Sequence, residues 1–417
     1  MKFEVIKGSH VKRNIIIGVL VVLVLSAIIL TFTKAKYKIT ESMPLVNGTI
    51  NYELSDFNLI GAYIQEGDNY IQVNEIPTSG YEFNSEKSYC TVNGENINAT
   101  LNYDMETQNL TITPLTTKGT KCYLYFDEKA SGGDYILAGD NPPTNSTTDW
   151  TGGTTYYYTG NPNNWVSFAG FWWRIIRING DGSIRMIYQG TSANTTGTGT
   201  QLQLSAFSSS YNNNAYIGYM YGNVNANDYA GTHANINSSV IKGELDSWYM
   251  KNLEIYSAQY IDGSAGFCGD RSITSGSGIG TDATYYQVYI RITNNNSSLQ
   301  CNDKDVYTTS ESDNGNKSLI YPIGLITADE ALFAGILWSG TNQNNYLYTM
   351  QAYWTMSPGY YDSTGAYVFI VNSNGNLYIN DGNVSNVNGV RPVINLRSNV
   401  QLTGSGTTSD PYVVVTS

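Results

Sequence analysis

The uncharged apolar run from Asn14 to Thr33, NIIIGVLVVLVLSAIILTFT, constrains this chain more than any other feature. A helix of that length rises about 30 Å, the hydrocarbon thickness of a bilayer. Lys12 and Arg13 precede the run, and Lys34, Lys36 and Lys38 follow it. Its apolar core continues unbroken from Ile15 to Phe32, longer than the core of a secretory signal. The best cleavage triplet, Thr33-Lys34-Ala35, is poor, and no cysteine adjoins the run to take a lipid. We therefore expect an uncleaved transmembrane helix over 14–33, with the lipid bilayer as its partner. Residues 1–13 form a cytoplasmic tail, and everything beyond residue 38 lies outside the cell as part of a single-pass membrane protein.

Charged residues make up 13% of the chain, against about 25% in ordinary soluble proteins. Asn, Thr, Ser, Gly and 35 tyrosines take their place, the surface that strands and long loops present. The net charge is -12 even though the tail is basic, so the external part is strongly acidic. This argues against nucleic acid or anionic lipid as a partner of the external part, because phosphate binding needs clustered Lys and Arg. The only histidines are His10 and His233, which argues against histidine-based catalysis and against a multi-histidine metal site. Four cysteines fall into two local pairs, Cys90 with Cys122 and Cys268 with Cys301. An even count outside the cell points to disulfides, each worth about 3–4 kcal/mol in the chain-entropy model.

The expected fold class is mainly β (α+β). Residues 38–129 read as a small immunoglobulin-like β-sandwich, with strands at Gly48–Leu54, Tyr70–Val73, Ser88–Val92, Ala99–Tyr103, Asn109–Pro114 and Lys121–Phe126. Residues 130–155, rich in Gly, Pro, Ser and Thr, read as a linker. Residues 156–417 read as one larger α+β domain. FWWRIIRI (171–178) and SIRMIY (183–188) flank Asn179-Gly180-Asp181-Gly182, a strong hairpin signal. The spacing of Ile241, Leu245, Trp248, Tyr249 and Leu253 predicts a helix over Ser239–Leu253. Thr327-Ala328-Asp329-Glu330 is a capping box opening a short helix, which accounts for both carboxylates. Strands return at Tyr353–Met356, Tyr367–Val371, Leu377–Ile379, Val390–Leu396 and Tyr412–Val415.

Several segments carry a family likeness: Phe267-Cys268-Gly269-Asp270-Arg271-Ser272; Tyr321-Pro322-Ile323-Gly324-Leu325-Ile326 running into the capping box; Tyr353-Trp354-Thr355-Met356-Ser357-Pro358; and Gly389-Val390-Arg391-Pro392-Val393-Ile394-Asn395-Leu396. Together they resemble an uncharacterised family of bacterial surface domains, similar to the C-type-lectin-like and formylglycine-generating-enzyme-like fold, over about 160–417. The resemblance implies that ligands meet long loops in the C-terminal half. The loop after Ser357-Pro358 supplies Tyr360, Tyr361 and Asp362, and a second loop supplies Asn380, Asp381 and Asn383. Tyrosine faces stack on sugar rings or on partner side chains, and Asn and Asp oxygens read hydroxyls.

No phosphate-cradling loop, dinucleotide fingerprint, zinc-protease helix or nucleophile elbow occurs in the sequence. No catalytic residue, metal site or cofactor is expected, and the chain does not read as an enzyme. Arg174 and Arg391, set in apolar strands, read as buried arginines paired with carbonyls or a carboxylate. The leading expectation is an adhesin or surface receptor engaging glycan or protein. One competing reading is an enzyme on the formylglycine-generating-like fold, which requires free thiols at Cys268 and Cys301. The other is a structural cell-envelope protein.

Overall fold

The computed structural model describes residues 58–66, 69–77, 81–105, 107, 109–114, 119–128, 130–309 and 315–415. The expected anchor over 14–33, its tail and the expected strand Gly48–Leu54 lie outside the described residues. Among the described residues no helix is long and apolar enough to cross a membrane. The chain divides into two compact units, Met1–Lys129 and Ala130–Ser417. Both are mainly β.

In the first unit, β1 (Asn58–Glu66), β2 (Asn69–Val73), β3 (Tyr81–Val92), β4 (Glu95–Ile97) and β7 (Thr120–Glu128) form one sheet in the order β2-β1-β7-β3-β4. The β1–β7 pairing is parallel and the others are antiparallel. A separate hairpin joins β5 (Thr100–Asp104) to β6 (Asn109–Thr113). Strand β7 shows why this sequence makes a sheet. Cys122, Leu124 and Phe126 are fully buried, while the intervening Tyr123 and Tyr125 turn outward, the period-2 alternation of a pleated strand. On that outer side Tyr63 stacks on Tyr125 at 4.8 Å and Tyr89 on Tyr123 at 4.9 Å. Cys90 and Cys122 form the expected disulfide as directly opposed residues of neighbouring strands.

The second unit begins earlier than the composition implied. Residues 130–155, expected to be a linker, fold into helix α1 (Gly132–Ala138) and the hairpin of β8 (Asn145–Thr148) with β9 (Thr154–Tyr157). Ser131 caps α1 by accepting from the Asp134 amide, and Ile136 is fully buried. Gly133 is there for close packing, since a Cβ at that position would lie 2.7 Å from the Gly182 carbonyl oxygen. The small polar residues there include a helix cap at Ser131 and a tight contact at Gly133.

Two larger sheets follow. The first runs β24-β12-β11-β10-β26-β25, built from β10 (Trp165–Phe168), β11 (Phe171–Ile178), β12 (Ile184–Gly190), β24 (Val393–Leu396), β25 (Leu402–Thr403) and β26 (Tyr412–Val414), with β9 also on β11. The expected β11–β12 hairpin is present. Every residue of β12 is buried, Arg185 and Gln189 included, so the strand is covered on both faces. The second sheet runs β13-β23-β20-β18-β17, from β13 (Leu204–Ala206), β17 (Ile273–Ser275), β18 (Thr284–Tyr286), β20 (Tyr353–Asp362) and β23 (Val387–Gly389). In it β21 (Gly365–Val371) pairs with β20, and β22 (Leu377–Tyr378) with β21. Two small ribbons complete the unit: β14 (Met220–Tyr221) with β15 (Asn237–Ser238), and β16 (Phe267–Cys268) with β19 (Val306–Tyr307).

Short helices pack on these sheets: α2 (Tyr229–Thr232), α3 (Val240–Asn252), α4 (Glu254–Tyr260), α5 (Gln287–Thr293) and α6 (Ala328–Phe333). Helix α3 is the one the spacing predicts. Ser239 caps it, and Ile241, Leu245 and Tyr249 are buried while Gly243 faces solvent. The second expected disulfide, Cys268–Cys301, is also formed.

Candidate functional site

The stretch expected to be a loop at 359–364 is instead the end of a strand and a tight turn. Strand β20 continues to Asp362, and β21 begins at Gly365. The Asp362 carboxylate accepts from the Thr364 amide at 2.8 Å and from its hydroxyl at 2.5 Å, an Asx-type turn that reverses the chain in two residues. Gly365 sits at φ 133°, a backbone setting that side chains avoid.

Extending the strand sorts the two predicted tyrosines onto opposite faces. Tyr361 is 4% exposed and packs into the core, which removes it from the candidate ligand contacts. Tyr360 turns outward and joins a row. Its direct partner on β18 is Tyr285 and on β21 is Tyr367. The rings stack in sequence, Tyr285 to Tyr360 at 5.5 Å and Tyr360 to Tyr367 at 4.7 Å. Tyr289 of α5 meets Tyr285 and Tyr360 edge-on at 5.2 and 5.7 Å, and Trp338 meets Tyr289 and Phe369. Tyr285 remains 37% exposed, with Ile290 and Leu337 also exposed.

Stacking in a row has a chemical consequence. Both faces of the Tyr360 ring are covered by neighbouring rings, so it offers its edge and hydroxyl to a partner and no free face to a sugar. Partial burial, with Tyr367 and Asp362 nearby, pushes the Tyr360 hydroxyl pKa up. It stays protonated as both donor and acceptor. The ridge is thus an apolar body edged with phenolic hydroxyls.

The second predicted loop meets the ridge at one point. Asn383 bridges to Tyr367 and donates to the Thr364 carbonyl at 3.3 Å, and Thr364 in turn lies 2.9 Å from the Tyr367 hydroxyl. The structure therefore brings Tyr360, Asp362 and Asn383 into one neighbourhood. Asn380 and Asp381 stand exposed on the preceding turn, and no described contact joins them to Tyr360. Sequence reading missed Tyr285, Tyr289, Tyr367 and Trp338 as ridge members. The available signal was Thr284-Tyr285-Tyr286, a β-branched and aromatic triplet not read as a strand.

Beneath this surface the arginines make interior ion pairs. Glu330 does more than close its capping box. It receives Arg177 at 3.0 Å and pairs with Arg185, with all three side chains buried. Burial alone would raise the Glu330 pKa, but Arg185 and Arg177 hold it below the ordinary value. Asp329 takes Arg291 at 3.0 Å, and Arg291 also holds Asp270 at 2.8 Å. Arg174 and Arg391 behave as expected of buried arginines. Arg174 donates to Asn164 and the Pro162 carbonyl, and Arg391 to Gln189 and the Tyr188 carbonyl. Among the described residues no cluster of His, Cys, Asp and Glu is arranged to hold a metal ion.

No family model, no curated protein and no solved structure matches this chain.

Proposed function

We propose that this chain is a membrane-anchored surface receptor or adhesin that engages its partner through the tyrosine ridge of the second unit. In this reading residues 14–33 hold it in the bilayer, the N-terminal immunoglobulin-like unit is a spacer, and the C-terminal lectin-like unit binds. One observation carries the reading: three tyrosines in direct cross-strand register, partly exposed, rimmed by Asp362, Thr364 and Asn383. Tyrosine with short polar side chains is the composition of rigid, adaptable binding surfaces such as antibody paratopes. The covered faces of Tyr360 favour a protein surface over a stacked sugar ring. The enzyme reading requires two free thiols in this unit, whereas Cys268 and Cys301 are joined.

The test is adhesion of the full-length chain, in lipid nanodiscs, to a panel of cell surfaces treated beforehand with protease or with glycosidases. The account expects binding that protease removes and that Tyr360→Ala with Tyr367→Ala abolishes. Binding removed only by glycosidases assigns the ridge to glycan. Binding indifferent to both substitutions overturns the proposal.

A further inference from the structure

A second concave feature shares no residue with the ridge. A cleft of about 590 Å³ opens beside α2 and the β16–β19 ribbon, within the roughly 300–1,000 Å³ typical of small-molecule sites. Three of its lining residues are charged: Arg271, Lys304 and Asp305. Arg271, 1% exposed, donates to the Asp305 carboxylate at 2.8 and 2.6 Å, to the Met220 carbonyl at 3.0 Å and to Asn235 at 2.9 Å. The Asp305 carboxylate also accepts the Arg271 amide at 3.0 Å. This buried pair cancels its own charge and uses most of its hydrogen-bonding groups internally. It makes a fixed floor.

Lys304 is the opposite case. Its backbone is held in place: the amide donates to the Asn302 side chain at 3.1 Å, and the carbonyl accepts from Asn235 at 3.1 Å and from Asn316 at 3.0 Å. All three asparagines line the same cleft. The residue itself is exposed, and among the described residues its ammonium has no ion-pair or hydrogen-bond partner.

The cleft therefore carries one uncompensated positive charge in a chain of net charge -12. Exposed acidic groups more than about 8 Å away are largely screened at physiological ionic strength, so the local lysine sets the preference. One cation suits one anionic group; a polyphosphate needs clustered Lys and Arg. The Ser272 hydroxyl and the Asn302 amide nitrogen, also on the lining, make no hydrogen bond among the described residues and are free to donate to a carboxylate. Tyr229 and Ile273 supply an aromatic and an apolar wall, which suits an apolar body on the same ligand.

We propose that this cleft binds a small monocarboxylate with an apolar or aromatic body, the carboxylate on Lys304 and the body against Tyr229 and Ile273.

The test uses the full-length chain and ligands of similar size that differ in charge: benzoate, neutral benzamide and cationic benzylamine, with inorganic phosphate as charge without a body. Titrations followed by NMR give the affinities. The account expects benzoate to bind about fivefold more tightly than benzamide, the upper end for a partly exposed ion pair, and both benzylamine and phosphate to bind more weakly than benzoate. Lys304→Gln should remove the preference for benzoate over benzamide, and Lys304→Arg should keep it. Lys251→Gln, an exposed change on α3 outside the cleft, should leave it unaltered. Ile273→Ala should weaken benzoate and benzamide alike. Equal affinity for benzoate and benzamide, no binding of benzoate, tighter binding of benzylamine or phosphate, or a preference that survives Lys304→Gln overturns the proposal. The adhesion test reads Tyr360 and Tyr367 and this one reads Lys304 and Ile273, so each proposal stands or falls separately.

Discussion

Tyr360 and Tyr361 are adjacent in sequence and opposite in role. Pleating turns one outward into the stacked row and the other into the core. Tyr361→Ala should cost about 3–5 kcal/mol, the range for emptying an aromatic core position, read as a shift in the denaturant midpoint. Tyr360→Ala should leave most of the stability and remove binding. Glu330 shows the same division between what a motif announces and what a side chain does. Its capping role was legible from Thr327-Ala328-Asp329-Glu330, but Arg177 and Arg185 come from distant strands. Glu330→Gln leaves buried Arg185 without its carboxylate and Arg177 with only Asp149, 3.7 Å away. The expected loss is about 3–5 kcal/mol, far beyond the roughly 1 kcal/mol of a lost cap, and chemical denaturation separates the two.

At the scale of elements, what was legible depended on how local the cause is. The β11–β12 hairpin, helix α3 and the capping box are set by residues within a few positions of one another, and all three appear where the sequence placed them. Both local cysteine pairs are joined as expected. Residues 130–155 were misread because their glycines serve a long-range contact: Gly133 packs against Gly182, far along the chain. Composition sees only small residues there. A Gly133→Val substitution should therefore destabilise the second unit by at least about 1–3 kcal/mol, as overpacking does, where a linker glycine would tolerate it. A lowered melting temperature with unchanged secondary structure content is the expected readout. The ridge was only partly legible for a related reason. Tyr360, Asp362 and Asn383 lie in segments rich in turn residues, whereas Tyr285 comes from a three-residue strand whose register with β20 no local pattern announces.

Across the whole molecule, acid sensitivity follows from groups whose protonation folding changes. His233 is buried beside Arg271, and these two causes push its pKa down to about 3. The unfolded chain protonates this histidine near pH 6.5 while the folded chain does not. The unfolded state therefore binds more protons below that pH, and stability falls as pH drops from about 6.5 toward 3. The slope from this one residue is at most about 1.4 kcal/mol per pH unit. Glu330, its pKa held low by Arg185 and Arg177, adds stability that is present above its unfolded value of about 4.3 and lost as pH falls through the folded value. The expected profile is a gradual decline from pH 6.5 that steepens below about pH 4.5. Denaturation of His233→Phe across the same range should remove the upper part of that decline and keep the lower.

The most direct test of the central claim compares two tyrosine surfaces in the same chain. Full-length protein carrying Tyr285→Ala, Tyr360→Ala and Tyr367→Ala is measured for adhesion beside protein carrying Tyr63→Ala, Tyr123→Ala and Tyr125→Ala, which strip the outer face of the first unit. If the ridge is the binding surface, the first variant loses at least tenfold in adhesion and the second keeps it. Full adhesion by the first variant, with its fold intact by circular dichroism, contradicts the account.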